Sequence, residues 1–82
     1  MTPRQMFEKL GFSYDDSIVN EINYFNKKFI SDTNVISFNL EDKTVSSFIE
    51  SDDPFTPNRP YELNLDELKS IILQIDELGW FN

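Results

Sequence analysis

Leu63-Asn64-Leu65-Asp66-Glu67-Leu68-Lys69-Ser70-Ile71-Ile72-Leu73-Gln74-Ile75-Asp76-Glu77-Leu78-Gly79-Trp80-Phe81 is the stretch that decides the fold. Asn64 suits an N-cap, and Glu67 three residues on completes a capping box for the orphan amides of the first turn. Leu65, Leu68, Ile72 and Ile75 recur at helical spacing, and Ile71 and Leu78 widen the stripe. That stripe is expected to face the core, with Leu73 outside it. Gly79 supplies the left-handed residue that stops a helix, and Trp80 is placed to fold back over the last turn. So strongly specified a helix belongs to a folded domain.

The other end of the chain uses the same grammar. Thr2 can cap, Pro3 is pre-organised for the first helical position, and Met6, Phe7 and Leu10 share one side. Gly11 with Phe12 ends this helix as Gly79 with Trp80 ends the last.

Between the helices the period changes from helical to alternating. Ser13–Ser17 reads as a polar turn. Ile18–Ile30 reads as one long strand, with a bulge expected near Asn26-Lys27-Lys28 where the apolar positions change face. Ser31-Asp32-Thr33-Asn34 is a turn cluster. Val35–Leu40 alternates, with Ile36, Phe38 and Leu40 inward, and Thr44–Ile49 returns after a turn at Glu41-Asp42-Lys43. Residues 50–63 carry four acidic residues, with one adjacent pair at Asp52-Asp53, and three prolines, which exclude helix and central strand. A loop this long is usually functional or disordered, and Phe55 and Tyr61 are its apolar anchors. The expected architecture is one α+β domain over residues 1–82, α-β-β-β-α, a three-stranded antiparallel sheet with two helices packed on one face.

Size and composition restrict what such a domain does. A chain of 82 residues buries only about 60% of its unfolded surface, so its core must be dense. Eight Phe, three Tyr and one Trp supply that density, each ring burying roughly 150–250 Å². A ligand cavity of about 300–1,000 Å³ would hollow out such a core. The net charge of −8 repels phosphates, whose binding needs Lys or Arg to release counterions, so direct nucleic-acid binding is not expected. An acidic surface favours basic partners or serves solubility alone; both readings stand.

The chain has no Cys and no His, which removes disulfides, thiolates and the commonest general base. Neither a signal peptide nor a membrane-spanning segment is expected, and the reading is cytoplasmic. The acidic pairs Asp15-Asp16, Glu41-Asp42, Asp52-Asp53, Asp66-Glu67 and Asp76-Glu77 are sequential neighbours. Adjacency alone does not make a catalytic dyad, because neighbouring side chains diverge. The spacing of a calcium-binding loop is absent, and Gly11 and Gly79 are accounted for as helix stops, leaving no phosphate loop. Lys27-Lys28 between Phe25 and Phe29 is too small a basic patch for stacking on nucleic acid. No catalytic residue, cofactor or metal ligand is expected.

Met6-Phe7-Glu8-Lys9-Leu10-Gly11-Phe12, Ile36–Val45 and the closing Leu68-x-x-Ile71-x-x-Gln74-Ile75-x-Glu77-Leu78-Gly79-Trp80 resemble small accessory proteins of phages and prophages of low-GC Gram-positive bacteria. The closing block is the most specific part, and the acidic, proline-rich segment Glu50–Glu62 departs from the short forms. The resemblance implies a protein of the infected or lysogenic cell that binds and disables a host protein. Nucleic-acid-dependent defence nucleases, CRISPR effectors among them, are targets of that kind. Carboxylates that imitate a phosphate backbone are one physical route, and a blocked protein surface is another.

The expected partner-binding residues are Asp15, Asp16, Glu50, Asp52 and Asp53, with Phe55 and Tyr61 as apolar anchors. The partner would be a basic or nucleic-acid-binding host protein. The alternative is a small assembly module or homodimer, associating through Leu73, Trp80 and Phe81, whose acidity serves solubility.

Overall fold

Two helices frame the computed structural model, which describes residues 1–82. Helix α1, Pro3–Lys9, starts where the Thr2 side chain accepts from the Gln5 amide and Gln5 Oε1 accepts from the Thr2 amide. Helix α2, Leu65–Glu77, starts the same way. Asn64 Oδ1 accepts from the Glu67 amide at 2.8 Å, and Glu67 Oε1 from the Asn64 amide at 2.9 Å. Gly11 (φ 98°) and Gly79 (φ 76°) take the left-handed conformation beyond each helix. The amides of Phe12 and Trp80 then reach back to the carbonyls of Phe7 and Ile75. Both ends follow the sequence reading.

The sheet has five strands rather than three: β1 Ser13–Asp15, β2 Glu21–Lys27, β3 Asp32–Asn39, β4 Thr44–Ser51 and β5 Arg59–Pro60. They lie in chain order, each antiparallel to its neighbour. The expected meander is the centre, and two short strands edge it. β1 comes from the segment read as a polar turn; only beyond it does the chain turn, with Asp15 Oδ1 accepting from the Ser17 amide at 2.8 Å. β5 comes from the proline-rich loop, and Pro60 is tolerated because an edge strand leaves one side unpaired.

The long strand expected over 18–30 is shorter. Asn20 has a positive φ of 62°, so Ile18 and Val19 precede the strand and stay exposed. The ladder runs without a bulge from Glu21↔Asn39 to Lys27↔Thr33. The apparent change of face near Asn26 is the end of the strand.

Even-numbered side chains of β2 and β3 build the core with Phe7, Phe12 and Ile71. The Phe7 ring stacks on Tyr24 at 3.9 Å and meets Phe12 and Phe38 edge-on at 5.7 and 6.3 Å. Trp80 lies against Phe38 at 6.3 Å. On the odd-numbered side Phe25, Val35 and Phe48 are in register across three strands, and the two rings leave Val35 only 2% exposed.

Helix α2 departs from expectation in its rotation. Glu67, Ser70, Ile71 and Gln74 are buried, whereas Leu65, Leu68 and Ile72 are 66%, 42% and 53% exposed. At about 100° per residue, the expected stripe is turned roughly a third of a turn away from the core. Aromatic rings already fill the layer beneath, so small or hydrogen-bonding residues make the closest approach. Each is satisfied: Tyr24 Oη donates to Gln74 Oε1, Ser70 Oγ donates to the Asp66 carbonyl, and Tyr61 Oη donates to Glu67 Oε2. No buried side-chain polar atom lacks a partner. No helix is long and apolar enough to cross a membrane.

Candidate interaction site

The β3–β4 register sets Asp32 opposite Ser51, which brings the turn at 28–31 beside the loop at 52–58. The two loops are laced together. The Asp52 amide donates to the Ser31 carbonyl at 2.8 Å, Lys27 Nζ lies 3.3 Å from Asp52 Oδ2, and Arg59 pairs with Asp32 at 2.7 Å.

Asp53 organises the second loop from inside. Its carboxylate accepts from the Phe55 amide at 3.0 Å and from the Thr56 hydroxyl at 3.1 Å, while the Asp53 amide donates to Ser51 Oγ. The loop is therefore shaped by its own polar residues, and its apolar residue is not used to pin it. Phe55 is 93% exposed, and on the adjoining turn Phe29 and Ile30 are 71% and 92% exposed. Three large apolar side chains on two tied loops are what a docking anchor requires: contact area held in place before binding.

The expected partner-binding residues divide between two ends of the sheet. Glu50, Asp52, Asp53 and Phe55 belong to this end, where Asp52 is paired and Asp53 is occupied within its loop. Asp15 and Asp16 lie at the other, because Asp15 stands opposite Asn23 near the start of β2. With a rise of about 3.4 Å per residue, the length of β2 puts the two ends roughly 20 Å apart. The Ser17 hydroxyl and amide hold the Asp15 carboxyl below its ordinary range, and Tyr14 Oη donates to Asp16.

Glu21, Glu41 and Asp42 share that second end with Asp15 and Asp16, because Glu21 opposes Asn39 where β3 turns into β4. Nowhere do three or more carboxylates converge as a metal-binding group.

Tyr61 is an internal anchor. Half-buried, it donates to Glu67, and desolvation first, then that hydrogen bond, pushes its phenol above the ordinary value. It fastens the crossover to α2. Of the expected self-association residues, Leu73 and Phe81 are exposed, but Trp80 packs against Phe38 in the core. Phe55 and Trp80 are at opposite ends of β3, so no single patch unites them.

Phe29 and Ile30 escaped the sequence reading because both were assigned to a strand. The available signal was Lys27-Lys28, a pair of long charged residues after which the alternation fails. Comparison of the chain with protein-family models, curated proteins and solved structures returns no match.

Proposed function

We propose that this chain is a non-catalytic interaction protein of phage type that inhibits a host protein by occupying its surface. Phe29, Ile30 and Phe55 are the anchors, and Glu50 stands at the rim of the same end. The observation that carries this reading is the exposure of those three residues on loops fastened to each other by Asp52. A partner suited to it has an apolar recess bordered by Lys or Arg, as the channels of nucleic-acid-handling proteins have. A defence nuclease of the infected cell, such as a CRISPR effector, is a target of that description.

Imitation of nucleic acid would call on the opposite end instead, where Asp15, Asp16, Glu21, Glu41 and Asp42 lie with Lys43 and with Arg4, which stacks over the Tyr14 ring beside Asp16. The two routes separate experimentally. Tagged protein is used to capture partners from a Gram-positive host lysate, in parallel with Phe29→Ala/Phe55→Ala and Asp15→Asn/Asp16→Asn variants. Recovery of one basic, nucleic-acid-handling protein by wild type, lost in the Phe variant and kept in the Asp variant, supports surface occupation. Loss in the Asp variant alone supports imitation. Recovery of bait alone, from lysates of several such hosts, overturns both.

A further inference from the structure

The sheet is unfinished along one edge. β5 covers β4 only at Phe48 and Ile49, so Thr44, Val45, Ser46 and Ser47 have no strand on their outer side. The Leu40 amide, just past β3, donates to the Asn20 carbonyl at 2.9 Å, so even-numbered residues of β3 bond toward β2 and odd-numbered ones toward β4. Their partners Thr44, Ser46 and Phe48 bond inward, and the amides and carbonyls of Val45 and Ser47 point outward in the plane of the sheet. Edge strands are normally blunted by charge, proline or brevity. β1 is three residues long with Asp15, and β5 two with Pro60, whereas Thr44-Val45-Ser46-Ser47 has neither charge nor proline.

The apolar flank of α2 lies over the same edge. α1 occupies the β1 side of the sheet, where Arg4 stacks over Tyr14, and Asp66 of α2 borders a depression together with Met6 and Leu10. At about 100° per residue, Leu68 and Ile75 come out roughly opposite Asp66 on the helix, and so toward β4. Ile75 and Val45 are both half-buried against the core, while Leu68 and Ile72 stay exposed.

We propose that the open edge of β4 and this flank of α2 form one groove, which takes a basic, extended peptide of another protein as an added strand. Only an extended backbone presents donors and acceptors at the spacing that Val45 and Ser47 require. Peptide residues opposite these two place their side chains on the helix side, against Leu68, Ile72 and Ile75, which calls for apolar residues two apart. Charge selects the rest. Glu41 and Asp42 stand with Lys43 at one end of the edge, and Glu62 stands at the other, where the Ser47 hydroxyl donates to the Tyr61 carbonyl. Arg59 on β5 is engaged with Asp32.

A second copy does not fit this edge. β4 paired with itself about a two-fold axis runs each hairpin into the other copy's β5 and sets Glu41 and Asp42 beside Glu62, like charge on like. The groove is separate from Phe29, Ile30 and Phe55, and it does not rest on the function proposed above.

The test selects binders from a random peptide library at low salt and measures them by fluorescence anisotropy and amide NMR, with circular dichroism to verify that each variant is folded. Expected are peptides rich in Lys or Arg with apolar residues two apart, which protect the Val45 and Ser47 amides from exchange. Ser47→Pro removes an outward donor at an edge, where proline is tolerated, and Leu68→Gln/Ile72→Gln changes only exposed positions. Each should weaken binding roughly tenfold or more, and Phe29→Ala/Phe55→Ala should bind as wild type does. N-methylation of the peptide backbone opposite Val45 and Ser47 should abolish binding whether or not Ser47→Pro folds. The proposal is overturned if no peptide binds below about 1 mM, if the binders protect other amides, or if either folded groove variant or the methylated peptide binds undiminished. Protection of Val45 and Ser47 in a dimer without peptide overturns it equally, since the edge then belongs to a second copy.

Discussion

The hydroxyl of Tyr24, in the middle of β2, donates a 2.6 Å hydrogen bond to Oε1 of Gln74 in α2, fifty residues later, and both side chains are buried. It is a polar rivet in a core of aromatic rings and isoleucines, and it explains why a glutamine faces inward where an apolar stripe was expected. Tyr24→Phe strands a buried amide oxygen and is expected to cost about 1–3 kcal/mol. Tyr24→Phe/Gln74→Leu removes both polar partners and should recover most of that loss. Urea denaturation of the two variants checks it: equal losses in single and double variant would refute the rivet.

The same tyrosine gives the fold an alkaline limit. Burial raises the phenol of Tyr24 well above its ordinary 10.0, and burial with the Glu67 hydrogen bond raises Tyr61 likewise. The folded chain therefore holds these protons where the unfolded chain has released them. Stability is fully present below about pH 10 and declines as pH rises above it. Thermal melts from pH 7 to 11 should show a fall in Tm beginning near pH 10. In Tyr24→Phe the slope above pH 10 should be shallower, and an unchanged slope would remove Tyr24 as its source.

What could be read from the sequence follows how local each determinant is. The caps at Thr2 and Asn64 and the stops at Gly11 and Gly79 depend on a few consecutive residues, and all four are where the spacing puts them. The edge strands depend on partners elsewhere: Ser13–Asp15 is a strand because β2 offers a free edge, and Arg59–Pro60 because β4 does. The rotation of α2 is less local still. Periodicity identifies an apolar stripe but not which surface covers it, and here Phe7, Tyr24 and Phe38 occupy the layer first. The candidate site was half legible. Phe55 stood out as an apolar residue in a polar loop, while Phe29 and Ile30 were hidden in an alternation that runs past the true end of β2.

The two glycines are predicted to differ in tolerance. A Cβ at Gly11 would lie 3.2 Å from Asn26 Nδ2, which itself donates to the Leu10 carbonyl at 3.4 Å. At Gly79 the nearest neighbour is the Asn82 side chain at 3.8 Å. Both substitutions to Ala incur the left-handed backbone cost of about 1–2 kcal/mol, but only Gly11→Ala also displaces a buried asparagine. Gly11→Ala should therefore lower Tm further than Gly79→Ala, and the reverse order would contradict the packing described around Asn26.

Phe55→Ala separates binding from folding. A buried phenylalanine such as Phe7 costs about 3–5 kcal/mol when truncated, whereas Phe55 touches solvent over nearly its whole surface. Its loop is held by Asp53, Ser51 and Thr56, none of which needs the ring. The unfolding free energy of Phe55→Ala should thus lie within about 0.5 kcal/mol of wild type, as for other surface substitutions. Capture of the proposed partner, by contrast, should drop at least tenfold if the ring is an anchor, since a central aromatic in an interface is worth about 2 kcal/mol or more. Wild-type capture by Phe55→Ala would take the docking role away from this loop, and a destabilised Phe55→Ala would show that the ring packs on the domain after all.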